Sequence, residues 1–216
     1  MKNKKKYLIT ITILIVLLAI ATYLVNPLSN KDNKQKNIFE INDENDDGRS
    51  FTVELGDLGY GNEYTAWALL QLSPSYSFGL KFDNVSIKKN STILNAYVEL
   101  FSVGTPGHRN PNCIIYCDNV DNSVNFSEMG VLDICGRNYT KNFVDWNESL
   151  PHNKWVKSPS VVKLVQEIIN RTNWSSGNSL SILFISKGLN NYSAAFNNYD
   201  TGYSARLYVE WKKTDQ

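Results

Sequence analysis

The chain has 216 residues, with 22 Lys and Arg against 21 Asp and Glu, for a net charge of +1. That balance supplies no basic face and excludes a nucleic-acid partner, and the length holds one domain of ordinary size plus extra segments. Aromatic residues at 12%, with Gly, Asn and Ser scattered at turn-like intervals through the second half, predict an all-β extracellular module.

The first element is a membrane segment. Residues 1–6, "MKNKKK", form a basic cytoplasmic tail, and residues 7–25, "YLITITILIVLLAIATYLV", contain no charged side chain. A helix of that length just crosses a hydrocarbon core of about 30 Å. The lysines ahead of it predict that the amino terminus stays in the cytoplasm and the rest lies outside the cell. Ala19-Ile20-Ala21 also has the small-x-small form of a cleavage site, so cleavage and secretion are the alternative to an anchor. No Cys precedes Cys113, which excludes a lipoprotein. Residues 26–50 are polar with six acidic side chains and predict a flexible linker.

From residue 51 to 212 the period becomes two, which predicts one β-sandwich domain. "ILNAYVELFS" puts Ala96, Val98 and Leu100 on one face and Tyr97, Glu99 and Phe101 on the other. "ARLYVEW" does the same with Ala205, Leu207, Val209 and Trp211 against Arg206, Tyr208 and Glu210. "FTVEL", "TAWALLQL", "YSFGLKF", "CIIYC", "LSILFIS" and "AAFNN" are further strand candidates. The predicted fold is mainly β, a jelly-roll-like sandwich preceded by the single transmembrane helix. One short α-helix, about 159–171, interrupts it, with Val161, Val162, Leu164, Val165, Ile168 and Ile169 at helical spacing. Ser158 is its expected cap and Pro159 its first residue. Half apolar and about three turns long, it must pack on the sandwich.

Two stretches carry a resemblance. "SFGLKFDNVSIKKNSTILNAYVELFS" and "VKLVQEIINRTNWSSGN", with "VDWN" between them and "RLYVEW" at the end, run in order through most of 51–211. They resemble a family of secreted β-sandwich modules with a "GLRF-x-NV…AY…VQEIVNR-x-x-W-x-SGN…VEY" pattern, similar to the carbohydrate-binding-type modules of extracellular and adhesion proteins. The resemblance implies a jelly-roll fold and an extracellular location, and it makes Trp146 and Trp174 packing residues. The chain departs from the pattern at "ELGDLGYGNEYTAW", where relatives have an acidic run, and at Lys88-Lys89-Asn90-Ser91, where they have Pro-x-Gly.

The chemistry-bearing residues point to binding. His108 and His152 are the only histidines, no G-x-S-x-G occurs, and Asp133, Asp145 and Glu148 read as solvated loop charges, so no catalytic residues are expected. Flat aromatic rings that stack on a sugar's apolar face, beside Asn and Asp donors and acceptors, are the better material. Tyr60, Tyr64, Trp155, Tyr192, Tyr199 and Tyr203 are the candidates, and Asp57, Glu63 and Asp200 are candidates for a structural calcium. Cys113 and Cys117 on one strand stand about 13 Å apart and can bridge each other only if "CIIYC" bends, so a bond from either to Cys135 is the expected arrangement and buried free thiols the alternative. Asn84, Asn90, Asn125, Asn138, Asn147, Asn173 and Asn191 are glycosylation candidates. The expected function is non-catalytic binding of a glycan or another cell-surface component. A structural or adhesive protein with protein partners is the alternative, and a glycoside hydrolase the weakest reading.

Overall fold

A computed structural model describes residues 34–43, 46–51, 69–72, 76–103, 110–126, 133–187, 194–197 and 201–214. The apolar run 7–25 lies outside the described residues, and among those described no helix is long and apolar enough to cross a membrane. The described chain is mainly β, in two antiparallel sheets.

In the first sheet β1 (Lys34–Glu40) pairs with β11 (Arg206–Lys212), which pairs with β5 (Thr92–Val103). β10 (Ala194–Asn197) joins β5 to β3 (Leu69–Leu72), and β8 (Lys154–Lys157) also pairs with β5. Ser102 faces both Phe196 and Lys154, and Glu99 faces both Arg206 and Lys157. Because a residue has only two edges, β10 and β11 run along one edge of β5 and β8 along the other. The second sheet has the order β2 (Asp47–Phe51), β4 (Tyr76–Phe82), β9 (Leu180–Ser186), β6 (Cys113–Cys117), β7 (Val144–Trp146).

The core fills from alternating positions. Ala96, Val98 and Leu100 of β5 and Leu207, Val209 and Trp211 of β11 meet Phe78, Leu80 and Phe82 of β4 and Ile182 and Phe184 of β9. Phe78 stacks on Phe184 at 4.5 Å, and Trp146 stacks on Phe196 at 5.8 Å. Trp174 is buried as well, its indole N–H donating to the carbonyl of Ile87.

Three expectations need correction. The linker predicted over 26–50 instead supplies β1 and β2, so the sandwich begins at Lys34. "KQKNIFE" looks like a linker because an edge strand turns few side chains inward: in β1 only Phe39 is buried, followed by Ile41. The helix is also shorter than expected. It spans Val162–Ile169, and no side chain caps it. Ser158 pairs with β5 instead: its amide donates to Val98 O, its hydroxyl accepts from Val98 N, and Val161 N donates to Ala96 O. That pairing ties Ser158 and Val161 to the edge of β5, and the helix starts only after Val161. Its face Leu164, Val165, Ile168 and Ile169 is buried in the sandwich.

The third correction concerns the cysteines, which form no disulfide. Cys113 and Cys117 point inward from β6, and burial pushes both thiols up, which keeps them protonated and inert. Cys135 sits on α1 (Asp133–Gly136), on the far side of the second sheet from that core.

Candidate binding face

The outward side chains of the first sheet form three rows across its strands. In the first row Phe101 stands opposite Trp155, and Tyr203, just before β11, closes on Phe101 with ring centroids 4.2 Å apart. Trp155 meets Phe101 edge-on at 5.7 Å and lies 6.3 Å from Tyr203, tilted by 51°. Trp155 and Tyr203 remain 38% and 41% exposed, so the cluster offers ring surface to solvent.

The second row is charged. Lys157, Glu99, Arg206 and Glu40 follow one another across β8, β5, β11 and β1 by register. Arg206 Nε lies 2.6 Å from Glu40 Oε1 as an ion pair, and its guanidinium sits 4.6 Å above the Trp155 ring. Lys157 Nζ is 3.8 Å from Glu99 and donates to the Tyr97 hydroxyl at 3.1 Å, which holds the amine above the ordinary lysine value. In the third row Tyr97 stacks on Tyr208 at 4.8 Å, and Ile38 stands opposite Tyr208, 61% exposed. Lys157 lies over the Tyr97 ring, whose faces are thus occupied on both sides. The open ring surface belongs to the first row.

The outer side of the second sheet is covered. The chain between β6 and β7 folds back over it, placing Phe126 and Ile134 on Leu183, with Tyr116, Tyr139 and Ile185 around them. Phe126 lies so close to Gly79 that a Cβ there would come within 2.5 Å of its ring. The Arg137 guanidinium lies 4.3 Å over Phe126 and 2.9 Å from Asp118, which also accepts from Ser123. Burial pushes the Tyr139 phenol up to about 12.

A polar groove of about 670 Å³ lies beside the helix α2 (Val162–Ile169), lined by Asn119, Lys141, Asn142, Gln166, Glu167 and Arg171 among others. Its side chains largely satisfy one another. Glu167 accepts from the amides of Lys141 and Asn142, Arg171 binds Asn119 and Asp121, and Gln166 bridges Ile93 and Ser91. The groove is a seam that holds the helix to its neighbours.

Of the aromatic candidates, Trp155 and Tyr203 are brought together, and Tyr60, Tyr64, Tyr192 and Tyr199 lie outside the described residues. So do Asp57, Glu63, Asp200, His108 and Asn191. Among the described residues no three His, Cys, Asp or Glu side chains group for a metal. Asp145 pairs with Lys187, and Glu148 and His152 are exposed. Asn84 and Asn90 adopt φ of 51° and 59°, a turn geometry that Asn tolerates, which accounts for these residues without a glycan. Asn138, Asn147 and Asn173 are exposed and Asn125 half-buried, and the amide of Asn173 reaches Asp121. Phe101, Arg206 and Lys157 were not predicted as site residues. The outward placement of Phe101 and Tyr97 on one strand and Tyr208 on another was the available signal. No protein-family profile matches this chain, and no curated protein matches it.

Proposed function

We propose that this chain is a non-catalytic binding module whose first-sheet outer face takes a glycan. The observation that carries this reading is the exposed Trp155–Phe101–Tyr203 cluster beside the Lys157–Glu99–Arg206–Glu40 row. Tilted rings stack on the C–H face of a sugar, and an adjoining strip of charged donors and acceptors hydrogen-bonds its hydroxyls. A jelly-roll is the finer reading of the sandwich. It is supported by the orders β3–β10–β5–β8 and β4–β9–β6–β7, with successive strands crossing between the sheets except at β6–β7 and where β10 runs on into β11. The uncharged run 7–25 supports display outside the cell on a membrane anchor. A structural calcium would have to use Asp57, Glu63 or Asp200.

The exposed Ile38 at the β1 edge favours a second reading, adhesion to a protein partner. A glycan-array screen of the full chain in detergent, with and without calcium and beside Trp155→Ala, separates the two. Glycan signals that Trp155→Ala abolishes support the first reading. No signal under either condition sinks it.

A further inference from the structure

The outer side of the second sheet also buries an amine against a carboxyl. Pairing of β2 with β4 sets Asp47 opposite Leu80, and one step on, the amide of Lys81 donates to the Asp46 carbonyl at 2.7 Å. Leu80 and Phe82 point into the core, so the Lys81 side chain points away from it. It is nevertheless only 4% exposed, and Asp46 only 1%. Lys81 Nζ lies 2.7 Å from Asp46 Oδ1 and 2.6 Å from Asp83 Oδ1, and Asp83 also accepts from the Ser179 hydroxyl. Among the described residues the second Asp46 oxygen, Oδ2, has no hydrogen-bond partner, and neither has the buried hydroxyl of Ser181, which faces Lys81 from β9.

As a purely structural ion pair this arrangement is poor. Burying a carboxylate is costly, and leaving one of its oxygens bare adds to that cost. The same atoms are the reactants of amide formation, held in contact and away from water. We propose that Lys81 and Asp46 join in the folded protein through an intramolecular isopeptide bond, with Asp83 carrying the protons.

The step balances without any co-reactant. Asp83 takes a proton from the Lys81 ammonium, and the freed Nζ lone pair attacks the Asp46 carboxyl carbon. The tetrahedral intermediate loses its hydroxyl as water, protonated by Asp83, and the remaining amine proton passes through Asp83 to solvent. An ammonium and a carboxylic acid thus give a secondary amide, one water and one proton. The environment divides the two carboxyls between these roles. Burial raises Asp46 toward its neutral, electrophilic form. Burial also works on Asp83, but its hydrogen bonds from Lys81 and Ser179 prevail and keep it ionised, with an oxygen in contact with the ammonium. Against burial, the two carboxyls hold Lys81 above the ordinary lysine value, so the proton transfer to Asp83 is the uphill step. The bond would tie β2 to β4 and close the intervening chain into a covalent ring.

Mass spectrometry of the purified full chain tests this at the peptide level. The expected result is one branched proteolytic peptide joining the segments around Asp46 and Lys81, lighter than their sum by one water. Asp83→Asn, which keeps the size and polarity of that side chain, should give the two segments separately at full mass. Recovery of Asp46 and Lys81 from the folded wild-type chain on separate linear peptides overturns the proposal. A branched peptide in Asp83→Asn as well overturns the role given to Asp83.

Discussion

The two outer surfaces of the sandwich are built from similar residues and end differently. On the first sheet Tyr97, Phe101, Trp155, Tyr203 and Tyr208 stay at the surface, held by one another and by Arg206 and Lys157. On the second, Phe126 and Tyr139 of the β6–β7 connection fold down onto Leu183 and Tyr116, and a buried Arg137–Asp118 pair locks that connection in place. A stacked tyrosine pair occurs on each, at 4.8 Å and 4.6 Å, so composition does not distinguish the surfaces. The difference is a covering segment. Where the chain supplies its own cover, aromatic residues make a satellite core; where it does not, they stay open to solvent.

Mutations should separate the surfaces by what they cost. The largest effect is expected at Asp118. Replacing it with Ala strands the Arg137 guanidinium in a buried site and should lower the free energy of unfolding by about 3–5 kcal/mol, read by urea denaturation. Next comes Gly79→Ala, whose methyl would run into Phe126; a loss of about 1–3 kcal/mol is expected, shrinking when Phe126 is also truncated to Ala. A cost unchanged by the second truncation would mean that Phe126 does not lie over Gly79.

On the open face the balance reverses. Trp155→Ala should cost only about 1 kcal/mol of stability, because the ring is partly exposed and loses mainly its contacts with Phe101, Tyr203 and Arg206. Binding of any array-positive glycan should fall about tenfold or more. A Trp155 variant as unstable as Gly79→Ala would place the ring in a core and erase the distinction between the faces.

The smallest effect is a pH dependence in the seam beside α2. Burial works to raise Glu167, but hydrogen bonds from the Lys141 and Asn142 amides and the Asn142 side chain hold it below the ordinary 4.5. A lowered carboxyl adds stability that is complete above that value and is lost as pH falls through the folded value. Glu167→Gln should therefore be less stable than the wild type at neutral pH, with the gap closing in acid. Thermal melts at several pH values check this, and a constant gap contradicts it.

The alternation of β5 and β11 made most of the first sheet legible, because one buried face leaves a period of two. The helix was legible for the same reason at a different period. Its start was not, because Ser158-Pro159 reads as a good cap locally, whereas tertiary pairing of Ser158 with Val98 and of Val161 with Ala96 takes up these residues instead. β1 was hidden by its edge position, which lets five of seven residues stay exposed. For the site, Trp155 and Tyr203 could be chosen one by one as loop aromatics. Their meeting at Phe101 depends on which strand lies on which edge of β5, a pairing that no local pattern encodes. Gly79 was equally silent, since its neighbour Phe126 comes from another part of the chain.

The central claim, that the uncovered face of the first sheet is the binding surface, is tested most directly by NMR titration of the isotope-labelled full chain with an array-positive glycan. Perturbations should concentrate on the Trp155 indole, Phe101, Tyr203 and Arg206 and leave Tyr116, Phe126 and Tyr139 unmoved. Perturbations confined to the covered surface of the second sheet would contradict it.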